Sequence, residues 1–150
     1  MVFAVWYGRR DGARGQVVKV PMSSILVIED EPSLRQVFVR MLTGDGHTVI
    51  EACDGQEGLR ILKSAEPDIV LTDIIMPNAD GIEIIAANRR LPHPAKLIAM
   101  SGAGGLGPDY LKTAIELGAD YALKKPFRHA ELQAAVAACL GAHTDDRRYA

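Results

Sequence analysis

Ile25-Leu26-Val27-Ile28 runs directly into Glu29-Asp30-Glu31-Pro32, and this junction decides the fold. A short, continuously apolar and β-branched run is the pattern of a strand buried on both faces, as in a parallel sheet. Asp30 is placed to cap a helix, and Pro32 suits its first turn. Leu34, Val37, Phe38, Met41 and Leu42 then recur at three- and four-residue steps, which gives that helix one inward face. Gly44 is expected to stop it. A buried strand that feeds a helix through a short acidic turn is one βα unit.

The unit repeats outward from there. Thr48-Val49-Ile50 reads as a second strand, and Asp54 opens a helix with Leu59, Ile61 and Leu62 inward. Ile69-Val70-Leu71 forms a third strand ending at Asp73, and the loop from Met76 to Gly81 leads to a helix reaching about Leu91. Leu97-Ile98-Ala99-Met100 ends at Ser101 before a helix from about Pro108 to Leu117. Tyr121 to Lys124 is the fifth strand, followed by a helix from Arg128 to about Leu140. Five such pairs on short loops imply an α/β fold, doubly wound, with helices on both faces of a five-stranded parallel sheet.

Residues 1 to 22 lack this period. Gly8, Arg9, Arg10, Gly12, Arg14 and Gly15 crowd the segment, and Met22 stands just before the first convincing strand. The expected organisation is a flexible extension over 1–22, one domain over 23–141 and a tail over 142–150. An added edge strand from Gln16 to Val20 is the alternative for the first part. Little remains after Gly141, so no output domain is expected.

Composition narrows the function. With 150 residues, 48% hydrophobic and 24% charged, the chain suits a single globular domain. Seventeen basic and nineteen acidic residues leave a net charge of −2, so neither direct nucleic-acid binding nor attachment to an anionic membrane is expected. No apolar run approaches a membrane span, and the opening residues do not form a secretory leader, which points to the cytoplasm. Cys53 and Cys139 form no metal or redox motif and are expected as buried thiols. His47, His93, His129 and His143 lack partners at ligand spacing and are expected at the surface.

Ligands of open parallel sheets bind at the carboxyl ends of the strands. There the first strand presents Glu29 and Asp30, the third Asp73, the fourth Ser101, and the fifth Lys124 and Lys125. Two carboxylates about 4 Å apart repel by roughly 4 kcal/mol at an effective dielectric of 20, so three together call for a cation. An all-oxygen set without His or Cys points to a hard ion such as Mg²⁺. Beside it one carboxylate can attack phosphorus to form an aspartyl phosphate, with a lysine offsetting charge on the phosphoryl oxygens.

These residues carry a family resemblance. Ile25 to Pro32, Asp68-Ile69-Val70-Leu71-Thr72-Asp73-Ile74-Ile75-Met76-Pro77, Asp80-Gly81, Met100-Ser101-Gly102, Gly118-Ala119-Asp120 and Lys125-Pro126-Phe127 together resemble the receiver domains of bacterial two-component response regulators, over about residues 24 to 140. The resemblance implies a flavodoxin-like sheet of order 2-1-3-4-5, an order inherited from the family and not read from the residues. It makes Asp73 the phosphoacceptor. Glu29, Asp30 and Asp73, with the backbone carbonyl of Ile75, become the Mg²⁺ ligands. Ser101 becomes the switch hydroxyl and Lys125 the phosphate-contacting lysine, its bond to Pro126 usually cis. Lys124 is expected to be solvated.

Two positions depart from the family pattern. Glu29 stands where Asp is commoner, which Mg²⁺ tolerates because it often reaches a ligand through water. Ala122 stands where the family carries its aromatic switch residue, and Tyr121, one earlier, should face the other side of the strand. The relay is therefore expected to run differently, by way of the loop after Ser101.

The implied function is that of a stand-alone, single-domain response regulator, a signalling domain and not an enzyme beyond its own phosphoryl transfer and slow autodephosphorylation. Its partners would be a sensor histidine kinase or histidine phosphotransfer protein and a downstream protein target, with the chain itself a monomer or weak homodimer. The face of helix 4, strand 5 and helix 5 is the surface the resemblance suggests. Three rival readings are weaker. Gly102-Ala103-Gly104-Gly105-Leu106-Gly107 matches a dinucleotide fingerprint but falls in the fourth βα unit instead of the first. A metal-dependent phosphatase would want a second Asp two residues past the nucleophile, where Ile75 stands. A pseudo-receiver would have no use for Asp73, Ser101 and Lys125 together.

Overall fold

A computed structural model describes residues 7–10, 17–20, 22–76, 80–102 and 109–141. Strand β1 (Tyr7–Arg10) pairs antiparallel with β2 (Val17–Val20) as a separate two-stranded sheet. An irregular extension was expected here, or one strand added to the large sheet. Val17-Val18-Lys19-Val20 instead finds its partner within the segment itself, as a β-branched run can when a chain reversal brings two short strands together.

The remaining elements alternate: β3 (Ser24–Ile28), α1 (Pro32–Gly44), β4 (Thr48–Ala52), α2 (Gly55–Ala65), β5 (Ile69–Asp73), α3 (Gly81–Arg89), β6 (Lys96–Ser101), α4 (Asp109–Leu117), β7 (Tyr121–Lys124) and α5 (His129–Cys139). The five strands lie parallel in the order β4-β3-β5-β6-β7, which is 2-1-3-4-5 counted within the sheet. This is the doubly wound architecture expected of the sequence. Among the described residues no helix is long and apolar enough to cross a membrane.

Strand periodicity divides the core into two layers. Ile25, Val27, Ile69, Leu71, Ile98 and Met100 face one way and pack with Phe38 and Leu42 of α1 and Leu132, Ala135 and Val136 of α5. Leu26, Ile28, Val70, Leu97 and Ala99 face the other and pack with Leu62 of α2, Ile84 and Ile85 of α3, and Ala114 of α4. Phe127, just past β7, stacks on Phe38 with ring centroids 5.1 Å apart, which ties the start of α5 to α1.

Several local expectations are corrected. Glu31, not Asp30, caps α1, its carboxylate accepting from the N–H groups of Ser33 and Leu34. Gly44 is the last residue of α1, and the reversal falls two residues later at Gly46, whose φ is 93°. His47 is buried, its Nδ1 facing the Ser23 hydroxyl at 3.1 Å. Cys53 is exposed past the end of an edge strand, whereas Cys139 is buried as expected. His93 is exposed as expected, and His129 is partly buried with its Nε2 2.8 Å from Asp45. His143, the tail and Ala103 to Gly107 lie outside the described residues.

Candidate phosphoacceptor site

Parallel strands all end on the same edge of their sheet, and adjacent β3 and β5 bring their terminal carboxylates together. Glu29 directly follows β3, and its N–H is fixed by the Ala52 carbonyl of β4 at 3.2 Å. Asp73 is the last residue of β5, and the next N–H, Ile74, donates to Met100 of β6 at 2.9 Å. Glu29, Asp30 and Asp73 each offer a carboxylate oxygen, and these atoms lie within 4.8 Å of one another. Glu29 and Asp73 are buried, while Asp30 is exposed at the rim.

Lys125, just beyond β7, reaches across the same edge. Its Nζ donates to Asp73 Oδ2 at 2.5 Å and to Glu29 Oε2 at 3.0 Å. Lys124 points to solvent, as expected of the neighbour. The Lys125 N–H donates to the Ser101 carbonyl at 2.8 Å, and the Lys125-Pro126 peptide is cis. Ser101 ends β6 one residue beyond the Asp73–Met100 pair and is buried. The Ile75 N–H donates to Asp73 Oδ1 at 3.1 Å while its side chain stays exposed. Every residue singled out for the site thus lies at this one edge.

The electrostatics fit a cation-binding pocket. Burial pushes the Glu29 carboxyl above its ordinary range, although the hydrogen bond from Lys125 works against this. Burial would lower the Lys125 ammonium, but the hydrogen bond to Asp73, reinforced by the charges of Asp73 and Glu29, outweighs it and lifts the group above the usual lysine value. One ammonium faces three carboxylates, so a net negative charge remains for a further cation. The donors are all oxygen with neither His nor Cys among them, the chemistry of a hard divalent ion.

Gly81 closes the back of the pocket. Its N–H donates to the Ile74 carbonyl at 2.8 Å, and a Cβ there would meet the Asp73 carbonyl and lie 2.7 Å from Ile74 Cα. Only a residue without a side chain lets α3 begin this close to the turn after Asp73. Ala122 pairs with Ala99 inside the sheet, while Tyr121 packs with the α1/α5 layer, on the opposite face as alternation requires. One neighbour of the site drew no attention in the sequence: Arg35, whose guanidinium donates to the Glu29 carbonyl at 2.9 Å.

The model of the response regulator receiver domain matches residues 25–137. This chain belongs to the receiver-domain family of two-component response regulators. The KDP operon transcriptional regulatory protein KdpE of Escherichia coli is 35% identical over 123 residues, 82% of this chain and 53% of its own length. A probable transcriptional regulator, ycf27 of Porphyridium aerugineum, is 35% identical over 116 residues, 77% of this chain and 47% of its own length. This receiver chain therefore spans about half the length of these curated relatives. Among solved structures, chemotaxis protein CheY4 of Vibrio cholerae superposes with a TM-score of 0.71 at 26% identity, covering 79% of this chain and 99% of that one. The receiver domain of a sensor histidine kinase from Pseudomonas aeruginosa gives a TM-score of 0.72 at 29% identity, covering 80% and 98%, and it is described with a magnesium ion coordinated in its active-site cleft.

Proposed function

We propose that this receiver domain accepts a phosphoryl group on Asp73, with Mg²⁺ held by Glu29, Asp30, Asp73 and the Ile75 carbonyl. The observation that carries the reading is the gathering of three carboxylates and the Lys125 ammonium at one strand edge. An Asp73 carboxylate oxygen attacks phosphorus, the bond from phosphorus to the donor's leaving atom breaks, and the aspartyl phosphate forms. Bound Mg²⁺ would supply charge neutralisation on the phosphoryl oxygens, which is most of what this chemistry needs. Lys125 moves from its ion pair with Asp73 to the incoming phosphoryl group. Ser101 lends its hydroxyl to the same group.

The donor is a histidine kinase or histidine phosphotransfer protein, and the output is a changed protein–protein surface, both in the cytoplasm. The magnesium in the structurally similar Pseudomonas aeruginosa domain supports the choice of ion. Labelling with radioactive acetyl phosphate in Mg²⁺ tests the assignment. Asp73→Asn should take up no acid-labile phosphate, and Lys125→Ala should be impaired far more than Lys124→Ala. Undiminished labelling of Asp73→Asn would move the acceptor elsewhere.

A further inference from the structure

We infer that Arg35 is a positioning residue for the cation site, acting through the peptide that joins Glu29 to Asp30. Arg35 lies in the first turn of α1 and hydrogen-bonds to none of the three carboxylates of the pocket. Its side chain is only 16% exposed and, among the described residues, makes two hydrogen bonds. Nη1 donates to the Glu29 carbonyl at 2.9 Å, and Nε donates to Glu51 Oε1 on β4 at 3.3 Å. Glu51 is held in turn by Gln36 Nε2 at 2.7 Å. The guanidinium thus bridges the acidic turn to the neighbouring strand.

The Glu29 carbonyl belongs to the same planar peptide as the Asp30 nitrogen. Fixing that carbonyl fixes the plane and the Asp30 N–Cα bond within it; with the next peptide held through its Glu31 N–H, the direction in which the Asp30 side chain leaves the backbone is set. Of the other contacts on this turn, Ala52 holds the Glu29 N–H and Lys125 the Glu29 carboxylate, while Glu29 Oε1 accepts from the Glu31 N–H and so fixes the peptide on the far side of Asp30. Asp30 is exposed, and among the described residues no hydrogen bond orients its carboxylate. Its aim into the pocket is set by the backbone, and Arg35 is the side chain that holds the peptide entering Asp30. Groups that orient metal ligands at one remove typically change metal affinity by about 10- to 100-fold when lost.

This inference rests on the proposed cation site, and the test separates the two. Mn²⁺ affinity is measured by electron paramagnetic resonance on the folded full chain, alongside thermal midpoints. Arg35→Gln should weaken Mn²⁺ binding about tenfold, and Arg35→Lys, which keeps a donor, should lose less. Glu51→Gln leaves the donor to the Glu29 carbonyl in place and should stay within about threefold of the parent. Asp30→Asn is the control for the site itself. Unchanged Mn²⁺ affinity in Asp30→Asn would remove the site reading. Weakened binding in Asp30→Asn with unchanged affinity in Arg35→Gln would remove the role of Arg35 alone, whatever its thermal midpoint. A loss in Glu51→Gln equal to that in Arg35→Gln would also overturn it, since the ion pair and not the carbonyl contact would then matter.

Discussion

Replacing Gly81 with alanine strikes the turn that carries Asp73 without touching any charged group. The added Cβ would lie 2.7 Å from Ile74 Cα and 3.1 Å from the Asp73 carbonyl carbon. Both are backbone atoms, so no side-chain rotation relieves the clash. The Asp73 carbonyl oxygen lies nearer still, so restoring ordinary contact at 3.4 Å requires α3 or the turn to move by about 1 Å. Overpacking of this kind costs about 2 kcal/mol, or about 8 °C in the thermal midpoint of a domain this size. A shift approaching 1 Å at a reacting group can cost up to about a hundredfold in rate. Gly44→Ala is the internal control, because nothing lies within 4 Å of a Cβ there and the residue ends a helix. It should gain about 0.5 kcal/mol. Urea unfolding followed by circular dichroism, with acetyl phosphate labelling rates, reads both variants. A Gly81→Ala protein as stable as the parent and labelled at its rate would refute the close-approach reasoning.

Three further outcomes are expected. Glu66 closes α2 in the left-handed region at φ 46°, so Glu66→Gly should raise stability by about 1 kcal/mol in urea unfolding; a loss would show that its side chain contributes more than the strain. Burial lowers His47 below its ordinary 6.5, with the Asp45 charge opposing, so the unfolded chain takes up a proton that the folded one refuses. Its contribution is complete above pH 6.5 and is lost as pH falls from there toward the folded value; His47→Gln should flatten the stability profile across that window, and an unaltered slope would assign it to other groups. Burial pushes the Cys139 thiol up to about 12, so Ellman's reagent at pH 8 should find one reactive thiol in the native protein, lost in Cys53→Ser; rapid reaction of both would contradict the burial of Cys139.

The three central strands of the large sheet were legible because burial on both faces writes a continuous apolar run such as Ile25 to Ile28, which no amphipathic element requires. The site was legible because its side chains follow the strand ends, and strand ends in a parallel sheet share an edge. What escaped depends on contacts distant in sequence or on single-residue offsets. Asp30 is the better cap by residue preference, but it joins the pocket with Glu29 and Asp73, and capping falls to Glu31. His47 reads as a turn residue until the chain folds back on Ser23, twenty-four positions earlier. Arg35 reads as an exposed helical arginine until β4 brings Glu51 beside it. The hairpin at Tyr7–Arg10 and Val17–Val20 was masked by the glycines and arginines around it, although its valine run was visible.

The central claim is that a divalent ion and a phosphoryl group meet at Asp73. Intact mass of the native chain after acetyl phosphate, in parallel with Mg²⁺ and with EDTA, tests it most directly. One added phosphoryl mass in Mg²⁺, absent with EDTA and reversed by mild base, is the expected result. Equal phosphorylation in both, or none in either, would contradict it.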